Sequence, residues 1–141
     1  MIIDIPLKII ELEDSSYHIM LEAVFNKITK GNLIIDTGAS KTVFDINFVK
    51  NFIEDVEDVE EENSSGINAM ISQTKIGTMP LLTINKFEIE NYKTVLLDLS
   101  HINNIYQQYT NMHIAGLIGS DFLVKYDAVI NYGAKIISLN I

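Results

Sequence analysis

The sequence predicts an all-β protein with one or two short helices. Runs of β-branched and aromatic residues recur along the chain and are separated by short polar clusters typical of turns. Helical spacing of apolar residues is confined to short stretches. With 141 residues, of which 48% are hydrophobic, the chain can bury a core of its own, and we expect a single domain over residues 1–141.

The first strands follow from the turn signals near the start of the chain. Residues 5–12 and 17–25 predict a β-hairpin, because the polar cluster Glu13-Asp14-Ser15-Ser16 separates them. Leu33-Ile34-Ile35 predicts a third strand. Further strands are expected at 42–44, 75–82, 82–84, 87–89 and 92–97, and residues 128–141 predict a closing hairpin with Gly133 at its turn.

Two short helices are expected between these strands. Asp45 is a plausible N-cap for a helix over residues 46–52. Ser100 is a plausible cap for a second helix, in which apolar residues share one face and are expected in the core. These residues are Ile102, Ile105, Tyr106 and Tyr109.

Residues 54–62 contain seven acidic residues in nine. Runs of like charge repel one another and stay solvated, so we expect an exposed loop there rather than a docking surface for basic partners. The small and turn-forming residues that follow, at 63–71, predict a hairpin whose tip buries little.

Composition excludes several classes of function. The chain has no Cys, and its three His residues show no metal-binding spacing, so we expect no disulfide, no metal and no cofactor. A net charge of -9 makes nucleic acid a poor partner. No run reaches the roughly 18 apolar residues of a membrane span, and the start lacks a basic leader, so we expect a cytoplasmic protein without a membrane partner.

One carboxylate directly follows an apolar run that is expected to be a buried strand, so its position is expected to be fixed by the core. Asp36 directly follows Leu33-Ile34-Ile35 and is itself followed by Thr37-Gly38-Ala39-Ser40. An Asp after an apolar run is more often a plain turn residue. Here Thr37 adds a hydroxyl that can donate and accept, and Gly38 adds conformational freedom and close approach, so the stretch is a candidate catalytic turn.

The stretch resembles the active-site turn of retropepsin-like aspartic peptidases. A second segment, Gly116-Leu117-Ile118-Gly119 followed by Ser120-Asp121, is similar to the apolar-apolar-Gly and helix that lie beneath that turn in the family. The resemblance implies a closed, barrel-like fold with one lobe per chain. Since Ser120 stands where viral enzymes often have Arg, the chain looks more like the cellular or bacterial members.

The resemblance also implies a mechanism. Asp36 would be the catalytic residue, within a turn formed with Thr37, Gly38 and Ala39. Leu117, Ile118 and Gly119 would support the turn from below. Ser65, Gly66 and Ile67 would form the tip of a flap over an extended peptide, although the glycine-rich tip common in retropepsins is reduced here to Gly66.

A second copy of the chain is needed for such a mechanism. The sequence holds only one such Asp turn, whereas amide hydrolysis by carboxylates uses two that share a proton. A homodimer with Asp36 on its two-fold axis supplies both. The apolar C-terminal strand also favours a second subunit, since a strand at a sheet edge needs a partner.

Two alternatives remain. A chain of this fold could bind peptides or mediate assembly without catalysis. Asp98 and His101 are close enough in sequence to form a hydrogen-bonded acid-base pair, although no Ser or Cys nucleophile motif accompanies them.

Overall fold

The computed structural model describes residues 1–59 and 74–141. The expected flap residues Ser65, Gly66 and Ile67 lie outside the described residues, as does most of the hairpin expected at 63–71.

Strands dominate the described residues, which also contain three short helices. The strands are β1 (Ile2–Pro6), β2 (Lys8–Glu13), β3 (Ser16–Phe25), β4 (Thr29–Ile35), β5 (Val43–Asp45), β6 (Glu54–Asp58), β7 (Lys75–Ile84), β8 (Phe87–Leu97), β9 (Ile114–Ile118), β10 (Val129–Asn131) and β11 (Ile136–Asn140). The helices are α1 (Ile46–Val49), α2 (Ser100–Tyr109) and α3 (Ser120–Lys125).

Six strands close into a barrel. They follow one another in the order β3-β4-β9-β5-β8-β7, and β7 pairs with β3 through Val24↔Thr83 and Phe25↔Leu82. Closure leaves these six strands without a free edge inside the ring. The predicted all-β class and the closed barrel implied by the resemblance are therefore confirmed.

The barrel interior holds the main hydrophobic core. Phe25 packs edge-on against Phe44, with the ring centroids 5.3 Å apart, and both side chains are fully buried. Leu33 and Ile35 alternate into the same core from β4. The strand that leads to Asp36 is therefore fixed by the core itself.

The N-terminal hairpin prediction needs a correction. The single strand expected over residues 5–12 is divided at Pro6, where β1 ends, and only β2 pairs with β3. β1 instead pairs with β11. Proline lacks the N–H that would continue a ladder, and the next amide, that of Leu7, donates to the carbonyl of Lys135.

The expectation that the C-terminal strand lacks a partner is wrong. β11 is the central strand of a three-stranded sheet in the order β1-β11-β10, and its side chains Ile137 and Leu139 are fully buried. The edges of this sheet are β1 and β10, so any need for a second copy must be argued from them.

The acidic run was expected to be a loop, but its first part is a strand. β6 pairs with β7 at the end of the larger sheet, and all five of its residues are exposed. Charged side chains are tolerated on an edge strand because they reach solvent. The expected exposure is correct for these residues.

The first expected helix begins where the sequence suggested, whereas the cap of the second does not. Asp45 does cap α1, since its carboxylate accepts the amide of Asn47, but α1 ends at Val49. The N-cap of α2 is Leu99, and Ser100 is its first residue. The face expected in the core is buried only at Tyr106 and partly at Ile102.

Candidate active site

Asp36 lies at the end of β4, beside the end of β9. The two strands run parallel, with Ile34 opposite Leu117 and Ile35 opposite Ile118. The pairing continues into the turn, because the amide of Asp36 donates to the carbonyl of Ile118 over 2.9 Å. Leu117 and Ile118 thus lie beside the turn, and the Asp36 side chain is half-buried.

The turn itself fixes the Asp36 carboxylate. The amide of Gly38 donates to Asp36 Oδ1 over 3.1 Å, and the amide of Ala39 donates to the Asp36 carbonyl over 3.1 Å. Thr37 and Gly38 are exposed. A carboxylate with one oxygen held by a backbone amide keeps a defined orientation while its other oxygen stays available.

The conformational freedom expected of Gly38 is not used. No glycine in the described ranges has a positive φ, and a Cβ built on Gly38 would meet only Asp36 Oδ1, at 3.4 Å. Close approach is required instead at Gly119, where a Cβ would lie 2.6 Å from the carbonyl oxygen of Lys41. Within the described residues of one chain, the tight contact at this site is therefore made at Gly119 and not at Gly38.

A network of hydrogen bonds ties the turn to the start of α3. The amide of Ser120 donates to the Ala39 carbonyl over 2.7 Å, and the amide of Gly119 donates to Thr42 Oγ1 over 3.0 Å. Asp121 Oδ1 accepts both the amide and the hydroxyl of Thr42, at 2.9 and 2.8 Å.

Thr42 and Asp121 were missed as site residues. The sequence treated Thr42 as part of a strand and Asp121 as a residue that opens a helix. Their pairing spans 79 residues, and no local motif marks it. The only signal was that a polar residue follows each of the two recognised segments within a few positions.

A cavity of about 400 Å³ opens beside Asp36. Strands β2, β3, β4 and β9, helix α2 and the turn before β11 contribute to its wall. Its lining residues are Leu12, Tyr17, His18, Ile19, Ile34, Ile35, Asp36, Ile102, Ile105, Tyr106, Leu117 and Tyr132. A concave, largely apolar site with one reactive polar group is typical of a ligand pocket.

The Asp98–His101 pair does not form the expected hydrogen bond. Asp98 Oδ1 accepts the amide and hydroxyl of Ser100 and the side-chain amide of Asn47. The hydrogen bonds from Ser100 hold the pKa of the Asp98 carboxyl below its usual value. In the part of the chain that the structure describes, no hydrogen bond joins Asp98 to His101, so Asp98 serves to begin α2.

Neither a metal cluster nor a membrane helix is present in the described ranges. No three His, Cys, Asp or Glu side chains within residues 1–59 and 74–141 are placed to hold a metal ion. Over the same residues, every helix is too short or too polar to cross a membrane.

Three solved structures share this fold. A retropepsin-like aspartic protease from Rickettsia conorii superposes with a TM-score of 0.55 at 17% identity, over 99% of this chain and 90% of that chain. The retroviral protease-like domain of Ddi1 from Leishmania major gives 0.53 at 10% identity, over 85% and 86%. EIAV protease, in complex with the inhibitor HBY-793, gives 0.51 at 13% identity, over 80% and 91%.

The sequence comparisons are fewer but more specific. The comparison with curated proteins gives no significant match. A family model described as aspartyl protease matches residues 21–122, a range that runs from β3 to the first turn of α3 and includes the Asp36 turn. This match spans well over half of the chain and agrees with the retropepsin-like structural neighbours. The chain therefore belongs to the aspartyl protease family, in its retropepsin-like form.

Proposed function

We propose that the protein is an aspartic endopeptidase in which Asp36 activates the attacking water. The observation that carries the proposal is the placement of Asp36: a half-buried carboxylate, oriented by the amide of Gly38, at the wall of an apolar cavity. Such a group can accept a proton from water next to a bound peptide bond.

The reaction requires a second carboxylate. One Asp takes the proton of the water while the other, protonated, donates to the carbonyl oxygen of the peptide. Among the residues that line the cavity, Asp36 is the only acid. We therefore propose a homodimer whose two-fold axis passes between two Asp36 turns, with the two Thr37 hydroxyls interacting across it.

The surface beside Thr37 has the properties of an interface. A shallow depression there is lined by Thr37, by residues of α3 that include Val124, by the segment that leads into β10, and by Ile130 of β10. We call this surface the α3 face. Val124 is 75% exposed, and β10 is a sheet edge with Val129 exposed beside it. A second copy on the α3 face would cover these apolar groups and bring the two Asp36 residues together.

The remaining roles belong to the same proposal. Leu117, Ile118 and Gly119 support the turn through β9 and the start of α3. Ser65, Gly66 and Ile67, outside the described residues, would close over an extended peptide and add strand-like hydrogen bonds to it. We also propose that the protein works in the cytoplasm.

Cleavage of a peptide library tests the proposal. Asp36→Asn keeps the shape of the side chain but cannot accept the proton, so it should abolish cleavage. Asp14→Asn, an exposed turn residue, is the matched control and should leave cleavage unchanged. Cleavage by Asp36→Asn within tenfold of the wild type would contradict the assignment. A wild-type protein that binds peptides but cleaves none would support the non-catalytic peptide-binding alternative.

A further inference from the structure

We propose that His18 is a positioning residue: while it is neutral it attaches helix α2 to the barrel through the buried hydroxyl of Tyr106, and it releases the helix when it takes up a proton. His18 lies on β3 and Tyr106 on α2, and neither belongs to the Asp36 turn. Because α2 forms one side of the cavity beside Asp36, that cavity changes with pH. The attachment goes beyond the proposed peptidase function and does not require it.

The contact between the two side chains is close. Nδ1 of His18 and the hydroxyl oxygen of Tyr106 lie 2.6 Å apart, and the rings meet edge to face with their centroids 5.7 Å apart. Tyr106 is 2% exposed, and its hydroxyl forms no other hydrogen bond within residues 1–59 and 74–141. Buried hydroxyl groups are normally hydrogen-bonded, and Nδ1 of His18 is the partner that the structure provides.

This contact suits one protonation state of His18. Burial raises the pKa of Tyr106 to about 12, so the phenol keeps its hydrogen at neutral and acidic pH. Nδ1 of His18 must then accept that hydrogen, which requires the neutral imidazole with its own hydrogen on Nε2. A protonated imidazole carries hydrogens on both ring nitrogens, so two donors would face each other across 2.6 Å. The phenol hydrogen would have to turn away and would lose its acceptor.

The other titratable groups near His18 come from β2 and from the cavity wall. The residue opposite His18 on β2 is the apolar Ile10, and the neighbouring Glu11 is exposed. The titratable side chains that line the cavity besides this pair are Tyr17, Asp36 and Tyr132. Asp36 belongs to the proposed dyad, so the test below removes its charge.

The His18–Tyr106 contact acts on the C-terminal half of α2. The N-terminal half is fixed separately, since the side chain of Asn103 donates to the carbonyl of Ile114 and accepts its amide, over 3.0 and 2.7 Å. Near the end of the helix the hydroxyl of Tyr109 donates to Glu13 over 3.1 Å, but this pair is exposed and water can replace it. Loss of the His18–Tyr106 contact should therefore loosen residues 106–110 and leave the start of the helix in place.

A second histidine lies at the other end of α2. Nε2 of His113 is 3.6 Å from Asp45 Oδ2, and Asp45 Oδ1 accepts the amide of Leu99, the N-cap of the helix. A proton on His113 adds an ion pair to Asp45 and so strengthens the start of α2, whereas a proton on His18 loosens its end. The two effects differ in position and in sign, so they can be told apart.

Hydrogen exchange of backbone amides tests the proposal. Protection relative to the unfolded chain is measured by NMR at about pH 8 and about pH 5.5, a range in which histidine commonly changes charge. The Asp36→Asn chain is used, so that titration of Asp36 does not contribute. Protection of the Thr110 amide, which donates to the Tyr106 carbonyl over 2.7 Å, should fall about tenfold at the lower pH, as expected for the loss of one buried hydrogen bond. Protection of the Asn103 amide, which donates to the Leu99 carbonyl, should not fall.

Three substitutions, each added to the same chain, assign the effect. His18→Asn places an oxygen acceptor near the position of Nδ1 at every pH, so Thr110 should keep its high protection at the lower pH. Tyr106→Phe removes the hydroxyl and should give the lower protection at both pH values. His101→Asn, at an exposed position of α2, is the matched control and should leave the tenfold fall unchanged.

Several results would overturn the proposal. One is a Thr110 protection that does not change with pH. Another is a fall that persists in His18→Asn or, should that variant not fold, in Tyr106→Phe. A fall that is abolished by His113→Asn would assign the effect to the Asp45 end of the helix instead. None of these measurements involves peptide cleavage, so their outcome is independent of whether the proposed function holds.

Discussion

Replacement of Thr42 by Val should weaken the Asp36 turn and the fold together. Thr42 is 3% exposed, and its hydroxyl donates to Asp121 Oδ1 over 2.8 Å and accepts the amide of Gly119 over 3.0 Å. Val keeps nearly the same shape but loses both interactions. The amide of Gly119, buried between Ala39 and Lys41, is then left without its acceptor.

The magnitude follows from these two losses. A hydrogen bond to a charged group contributes about 1.5–3 kcal/mol, and a buried amide left unsatisfied costs about 1–3 kcal/mol. Asp121 is exposed and water can replace part of its loss, so we expect the free energy of unfolding to fall by about 3 kcal/mol. For a domain of this size that corresponds to a drop of about 10 °C in Tm.

Urea denaturation of Thr42→Val and of the wild type measures this difference. Thr83→Val on β7 is the control, because its hydroxyl makes no hydrogen bond with residues that the structure describes. We also expect kcat/KM to fall beyond the loss of folded protein, since the turn that holds Asp36 is displaced. A change within about 0.5 kcal/mol would refute the role given to the Thr42 hydroxyl.

Three further predictions concern pH and assembly. Activity should be bell-shaped against pH with an optimum at roughly pH 5 to 6, and Ala39→Ser, which adds a donor beside the proposed Asp36 dyad, should move the upper limb downward; an unmoved limb would contradict this. Burial raises the pKa of Tyr92 and Tyr106 from 10.0 to about 12. The contribution of these two phenols to the free energy of unfolding is therefore complete below pH 10 and is lost as the pH rises towards 12. The urea midpoints measured at about pH 9 and at about pH 11 should therefore differ less for Tyr106→Phe, which has no phenol to ionise at this position, than for the wild type. An equal difference in the two proteins would contradict the role given to Tyr106. Val124→Lys on the α3 face should lower the dimer fraction in sedimentation and the activity with it, whereas Ile28→Lys, at a side chain 83% exposed in the β3–β4 turn, should change neither.

The features that depend on residues close together in the sequence, namely the strand before Asp36 and the hairpin turns, could be predicted from local patterns. An apolar run that alternates into the core ends at Asp36, and turn residues mark the hairpins, so both were visible in the sequence. The β7–β8 hairpin is an example, since its turn contains Asn85, which takes the left-handed conformation that Asn tolerates.

Long-range pairing was not visible in the same way. The division of residues 5–12 at Pro6 depends on β11, more than 100 positions away, and the bond from Thr42 to Asp121 spans 79. Charge repulsion in residues 54–58 is overcome by the ladder with β7, which leaves their side chains in solvent. The pocket wall formed by α2 was missed because Ile102 and Ile105 fit a core pattern equally well.

Subunit mixing tests the shared Asp36 dyad most directly. Wild type and Asp36→Asn are combined in different proportions, and brief dilution lets their subunits exchange. Peptide cleavage is then measured at one fixed total protein concentration and plotted against the fraction of wild-type chain. If each site needs Asp36 from both chains, only wild-type homodimers are active, and an equal mixture should keep about a quarter of the activity. An equal mixture that keeps about half, with activity linear in the wild-type fraction, would show that each chain acts alone and would contradict the dyad.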